Sequence, residues 1–183
     1  MADRPPSAAI GVDIGTQSRK AVGSLVVDGA AVAIAGWEIG SGDPRAFGEA
    51  IVELARECGR STGLRPVIVI EDQHVKLPQV AKKLIEARMW VKILATLAGF
   101  EVVEVLASVW QADVFTLTPI KGTKHDRKTK EKALDVAAKV WPCLTLTEDQ
   151  IDAVLIALWR LRLRGRARAS KSSSRRRLTG PTA

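Results

Sequence analysis

Three apolar, β-rich segments follow one another in the first forty residues, and this arrangement constrains the fold more than any other feature. The segments cover residues 8–15, 19–27 and 30–39. Asp28-Gly29 separates the second from the third and favours a tight hairpin turn. Because connections this short join antiparallel neighbours, the chain is predicted to begin with a three-stranded antiparallel sheet.

Helical and β-rich segments alternate in the rest of the chain. Helices are predicted at 43–60, 78–98, 128–140 and 147–163, strands at 67–71 and 101–106, and irregular chain at 107–126. Pro44 and Gly59 bracket the first helix, Gly99 closes the second, and Thr147 to Gln150 has the capping-box pattern of a helix start. The order βββ-α-β-α-β-α-α predicts an α/β fold with a mixed five-stranded sheet flanked by helices.

Composition excludes several classes of protein. With 183 residues and 46% hydrophobic side chains, the chain can bury a core as one domain. Two cysteines, Cys58 and Cys143, exclude a disulfide framework, and with two histidines they argue against a zinc site. No stretch approaches the ~18 apolar residues of a membrane span. The opening Met1 to Pro6 does not match an export signal, so we expect a cytoplasmic protein.

The net charge of +8 comes from the C-terminus. Residues 160–183 carry nine Lys and Arg and no acid, which leaves 19 basic and 20 acidic residues elsewhere. We predict a disordered lead at 1–7, a folded domain at 8–163 and a disordered basic tail at 164–183. A basic tail usually meets nucleic acid; a solubility tail and contact with an anionic membrane surface are the alternatives.

The second half of the long helix, Met89 to Ala98, is apolar on nearly every side. A helix of this kind is buried all round. Either a partner subunit covers its far side, or the core of one copy surrounds it. The sequence leaves both possibilities open.

Four acids occupy positions that stability alone does not explain. Asp13 lies in the first apolar strand, Glu71 ends the fourth, and Asp149 and Asp152 share one face of the last helix. Each has an ordinary alternative, such as a turn hydrogen bond, a surface ion pair or a favourable place in a first helical turn. If they converge, they would repel one another unless cations hold them. Mg²⁺ and Mn²⁺ suit such oxygen ligands.

Four stretches resemble the RuvC-type Holliday junction resolvases of the ribonuclease H-like nuclease superfamily. They are IGVDIGTQSRKAVGSLVV at 10–27, VIVIEDQ at 67–73, AKKLIEARMWVKILATLAGFEVVEVLASVW at 81–110 and EDQIDAVLIALW at 148–159. The resemblance covers about residues 9–160 and lies mainly in the order and separation of the motifs. It implies a ribonuclease H-like sheet and a Mg²⁺-dependent enzyme that makes paired symmetric nicks in four-way DNA junctions.

The resemblance also assigns roles to residues. It implies that Asp13, Glu71, Asp149 and Asp152 hold two Mg²⁺ ions per site, with Mn²⁺ able to substitute, and that Lys128 or Lys130 is the active-site lysine. It further implies a homodimer, which uses no nucleotide cofactor. Its expected interface residues are Met89, Trp90, Ile93 and Leu97.

Basic residues between Lys121 and Lys132 are predicted to hold the phosphates beside the scissile bond; a solvated loop is the alternative. His74 stands where bacterial members of the family carry an aromatic that probes the junction. The expected DNA-binding residues are His74, Lys121, Lys124, Arg127, Lys128, Lys130, Arg166 and Arg168. The five tryptophans are expected in the core or an interface more often than as base-stacking platforms; Trp110, near the loop expected to face DNA, is the one to test for stacking.

Three other functions compete with this interpretation. GVDIGTQSRKA at 11–21 also resembles the first phosphate-binding turn of sugar kinases and actin-like ATPases, but the chain carries no second glycine-rich phosphate loop. A YqgF-type ribosomal RNA-processing nuclease would share the fold and similar acids. A non-catalytic branched-DNA-binding protein would keep the fold without the chemistry.

Overall fold

Five strands form one mixed sheet in the order β3-β2-β1-β4-β5. This computed structural model describes residues 7–14, 19–28, 31–40, 42–72, 78–115, 129–140 and 145–161. The strands are β1 (Ser7–Asp13), β2 (Arg19–Asp28), β3 (Ala31–Gly40), β4 (Val67–Asp72) and β5 (Val102–Leu106). The helices are α1 (Pro44–Thr62), α2 (Pro78–Leu97), α3 (Ala107–Phe115), α4 (Thr129–Val140) and α5 (148–161).

The antiparallel start of the sheet and its mixed character are as the sequence predicts. β2 pairs antiparallel with both β1 and β3, whereas β4 pairs parallel with β1, and β5 pairs parallel with β4. The two most apolar strands, β1 and β4, are therefore central neighbours, as expected for strands buried on both faces. The carboxyl ends of all three parallel strands lie at the same edge of the sheet.

Helices cover both faces of the sheet. Because side chains alternate along a strand, Ile10 and Val12 of β1 pack with α1 and α2, whereas Ala9 packs with α3, α4 and α5. We call these the α1–α2 face and the α5 face. Within the described ranges, no helix combines the length and the apolar character that crossing a membrane requires.

Two helices differ from their predicted form. α1 continues through Gly59 and ends at a C-cap on Gly63, whose φ of 69° is the left-handed conformation that glycine favours. α3 occupies residues predicted to be irregular, which corrects that prediction. Its sequence, ASVWQADVF, has little helical pattern, and the helix is stabilised by burying Trp110 and Val114 in the core.

The long helix α2 is buried on one side only. Ala87, Val91 and Ala95 are fully buried against the sheet and α1, whereas Met89, Ile93 and Leu97 remain 52%, 45% and 80% exposed. Among the described residues, the core therefore leaves this side of the helix uncovered, and a partner subunit on that side stays a prediction.

Candidate active site

Asp13 and Glu71 meet at the carboxyl edge of the sheet. Val12 pairs with Ile70 across the parallel β1–β4 ladder, so the next residue on each strand is an acid on the α5 face. Their carboxyl groups share a hydrogen bond. Glu71 is 7% exposed, which makes it the only acidic side chain among the buried described residues. Two central strands thus place two carboxyl groups side by side.

A row of three glycines allows α5 to lie directly on the sheet. Gly11, Gly23 and Gly36 pair with one another across β1, β2 and β3. A Cβ atom on Gly11 would collide with the carbonyl oxygen of Ala153, and one on Gly23 would lie 2.5 Å from the backbone nitrogen of Val154. Glycine in a strand interior is costly unless another backbone approaches closely, and here the α5 backbone does.

The N-terminus of α5 is held by the capping box that the sequence predicts. The Thr147 amide donates to Oε1 of Gln150 at 2.9 Å, and the Gln150 amide donates to Oγ1 of Thr147 at 3.4 Å. The Thr147 hydroxyl also donates to Oε1 of Glu38 on β3 at 3.3 Å. These contacts fix the first turn of the helix, which carries Asp149, above the sheet.

The other three predicted acids all act on Asp13. Burial and these acids together raise the pKa of the Asp13 carboxyl to about 8 from its ordinary value of 3.8. Burial is the largest cause, and the charges of Glu71, Asp152 and Asp149 follow in that order of size. One carboxylate oxygen of Asp152 is fully buried. The structure therefore brings the four acids together at one end of the sheet.

Trp110 and Trp159 are two buried tryptophans that hydrogen-bond to carboxylates in this region. Trp110 on α3 donates through Nε1 to Oε1 of Glu71 at 2.9 Å. Trp159 on α5 donates through Nε1 to Oδ2 of Asp113 at 2.9 Å. Trp110 is 1% exposed, so it is a core residue, as expected for most tryptophans, and its ring is not available to stack on a base. The sequence reveals the tryptophan but not its acceptor, which lies 39 residues away.

The donor set suits a hard divalent cation because all four groups are carboxylates. Burial and the neighbouring acids also disfavour the ionised form of Asp13 unless a cation is present. Within the described ranges, however, no three or more His, Cys, Asp or Glu side chains are already arranged to hold a metal ion. The four carboxylates are therefore suitable ligands for the metal, but they would have to move closer together to bind it.

Most of the predicted DNA-binding residues lie outside the described residues, and so does one of the two candidate active-site lysines. These are His74, Lys121, Lys124, Arg127, Lys128, Arg166 and Arg168. Lys130 lies at the N-terminal end of α4. Residues 1–6 and 162–183 also lie outside these ranges, so the predicted lead and tail stay predictions.

The expected interface residues are split between two sides of α2. Met89, Ile93 and Leu97 lie on its exposed side. Trp90 is half-buried, and its ring lies 5.8 Å from the guanidinium carbon of Arg45 on α1.

Comparisons with known proteins identify the fold. No protein-family model matches the chain, and no curated protein matches it. Among solved structures, it is similar to T. thermophilus RuvC in complex with a Holliday junction substrate. That match has 18% identity and a TM-score of 0.62, and it covers 84% of this chain and 92% of the RuvC chain. The chain has the RuvC fold.

A second structure of RuvC from Thermus thermophilus gives the same result. It is 18% identical, has a TM-score of 0.61, and the match covers 86% of this chain and 95% of the other. The resemblance seen in the sequence motifs is thus confirmed for the three-dimensional structure, and the expected ribonuclease H-like sheet is the observed one.

Proposed function

We propose that this protein is a Holliday junction resolvase, an endodeoxyribonuclease that makes paired symmetric nicks in four-way DNA junctions. The observation that carries the proposal is the convergence of Asp13, Glu71, Asp149 and Asp152 at the carboxyl edge of a sheet with the RuvC fold. A stable domain gains nothing from gathering four acids at a partly buried position. The arrangement is explained if the acids hold cations for phosphodiester hydrolysis.

In this proposal, the four carboxylates hold Mg²⁺, or Mn²⁺ in its place. The bound ions would supply the chemistry of phosphodiester hydrolysis, activating a water and stabilising charge on the leaving 3′ oxygen. Asp13 would bind them as a carboxylate, because their positive charge would offset the burial and the neighbouring acids that raise its pKa. Glu71 is held by β4 and by Trp110, while α5 holds Asp149 and Asp152 above the sheet. Cleavage leaves a 5′ phosphate and a 3′ hydroxyl.

Basic residues outside the acid cluster would supply the contacts to DNA. We propose that Lys121, Lys124 and Arg127, together with His74, bind the phosphates that flank the scissile bond. Lys128 or Lys130 would stabilise charge on the phosphoryl group. Arg166 and Arg168 begin a tail that would bind the DNA backbone without sequence preference. Junctions would be chosen by their geometry and deformability.

Two matched nicks call for two active sites, and we propose a homodimer with two-fold symmetry. Its interface would use the exposed stripe of Ile85, Met89, Ile93 and Leu97, which repeats every four residues along α2. Ile93→Glu should convert a dimer to a monomer in light scattering coupled to size-exclusion chromatography. Gln79→Glu, at the exposed start of the same helix, serves as the control. A wild-type monomer at micromolar concentration would contradict the proposed interface.

The decisive experiment is cleavage of a synthetic four-way junction beside a linear duplex of the same sequence. Reactions contain Mg²⁺ or EDTA, and Asp152→Asn is tested in parallel. Paired symmetric nicks that require Mg²⁺ and are lost in the variant would support the proposal. Binding of the junction without cutting would instead favour a non-catalytic branched-DNA-binding protein. No preference for the junction would overturn the proposal, and structured RNA would be the next substrate to test.

A further inference from the structure

The indole of Trp110 is placed on Glu71 by the chain that follows the neighbouring strand. β5 ends at Leu106, which pairs with Asp72 at the end of β4, and α3 begins at the next residue. One helical turn later, Trp110 lies back over the carboxyl edge of the sheet. Its N–H then reaches Oε1 of Glu71 at 2.9 Å.

Both side chains in this hydrogen bond are buried, so water cannot replace either partner unless the surrounding side chains move. Trp110 is among the largest fully buried side chains of the described chain, and Glu71 is 7% exposed. The indole packs in the core cluster with α4 and α5, and its ring meets Phe115 edge-on at 5.9 Å. An indole N–H can only donate, so it occupies one carboxyl oxygen of Glu71 and restrains the orientation of the group.

We infer that Trp110 is a positioning residue for the proposed metal site, holding the carboxyl group of Glu71 in the orientation that binds the cation. This inference rests on the proposed metal-dependent function. Groups that hydrogen-bond to metal ligands orient them and tune their affinity, and their loss typically weakens metal binding or activity by about 10- to 100-fold. Trp110 would thus act through Glu71, without touching substrate or metal.

Trp159 offers a matched control. It lies in the same core cluster as Trp110, and it also donates through its indole nitrogen to a carboxylate at 2.9 Å. Its acceptor, Asp113, is not one of the four site acids. Trp159→Phe therefore removes the same kind of side chain and the same kind of hydrogen bond without changing the contacts of Glu71.

The test measures Mn²⁺ binding by isothermal titration calorimetry on the full chain without DNA. We expect Trp110→Phe to raise the dissociation constant about 10-fold or more, and Trp159→Phe to change it less than about threefold. The Mg²⁺ concentration for half-maximal junction cleavage should move by the same factors. Replacement of Trp110 by benzothienylalanine, which keeps the ring shape and lacks the N–H, provides a second variant if Trp110→Phe fails to fold.

Several outcomes would overturn the inference. Equal Mn²⁺ affinity in the wild type and both Trp110 variants would overturn it. Equal losses of Mn²⁺ affinity in the Trp110 and Trp159 variants would also overturn it. A wild type that binds no Mn²⁺ would remove both this inference and the metal-dependent function. A wild type that binds Mn²⁺ but cuts no junction would overturn the proposed substrate. A Trp110-specific change in Mn²⁺ affinity would still support the positioning role in that case.

Discussion

Glu71 and Asp72 are adjacent residues at the end of one strand, yet they lie in opposite environments. Glu71 faces α5, where it meets Asp13 and the indole of Trp110. Asp72 faces α2, where it forms an ion pair with Arg88. The pair shows that the partners of an acid, more than its place in the sequence, separate a structural carboxylate from a catalytic candidate.

The contrast extends to the whole edge of the sheet. On the α1–α2 face, Arg88 also pairs with Glu104 at 3.3 Å, and Lys92 pairs with the same glutamate at 2.7 Å. The carboxylates there are matched by cations of one helix. On the α5 face, burial and three neighbouring acids raise the pKa of Asp13. One face is arranged for stability, whereas the other carries charge that a bound cation would relieve.

The largest expected effect comes from substituting the adjacent acids Glu71 and Asp72. Glu71→Gln should reduce junction cleavage by about 1,000-fold or more, because it removes a ligand from a site whose parts act as a unit. Asp72→Asn should leave cleavage within about threefold and lower the free energy of unfolding by about 1 kcal/mol, since it breaks a partly exposed ion pair. Cleavage rates and urea unfolding measure both effects. Equal loss of cleavage in the two variants would break the comparison.

A second pair of neighbours tests the packing of the two faces. Gly11→Ala should lower the free energy of unfolding by about 3 kcal/mol and also impair cleavage, because the new Cβ pushes α5 away from the sheet. Ile10→Val, on the α1–α2 face, should cost about 1 kcal/mol and leave cleavage unchanged. Urea unfolding and single-turnover cleavage at saturating Mg²⁺ separate stability from positioning. Gly11→Ala with wild-type cleavage would show that the glycine row does not position the acids.

The raised pKa of Asp13 predicts how the metal-free protein responds to pH. The folded state keeps this proton up to about pH 8, whereas the unfolded chain loses it near 3.8. The folded state therefore binds more protons between these values, so stability falls as pH rises through that window. In EDTA, Asp13→Asn should remove this decline and stabilise the protein at pH 7.5 by on the order of 1–3 kcal/mol. Melting temperatures of the wild type and of Asp13→Asn at pH 5 and 7.5 test this prediction. If the two melting temperatures depend on pH in the same way, the prediction is contradicted.

The smallest expected effects concern the start of α5. Thr147→Ala should cost about 1 kcal/mol, because it removes the side-chain cap of the helix. Glu38→Gln keeps an acceptor for the Thr147 hydroxyl and should cost less than about 0.5 kcal/mol. Thermal unfolding at fixed pH measures both changes. A larger cost for Glu38→Gln would indicate that β3, rather than the helix cap, holds α5 in place.

Local patterns in the sequence determined much of this protein. The hairpin dipeptide and the alternation of segments were sufficient to predict three antiparallel strands and a mixed sheet, because short connections leave few topologies. The capping box at Thr147 was predicted and is observed, since its partners lie three residues apart. The four acids were recognisable because an acid is unexpected at the end of an apolar strand and because two of them share a helix face.

Tertiary structure alone decided the rest, because the contacts involved join distant parts of the chain. The sequence of α3 has no clear helical pattern, and burial of Trp110 and Val114 stabilises it. β4 is apolar on both faces, so its sequence could not show that Glu71 faces α5 while Asp72 faces Arg88. The glycine row is also invisible along the chain, since Gly11, Gly23 and Gly36 form one row only after three strands pair.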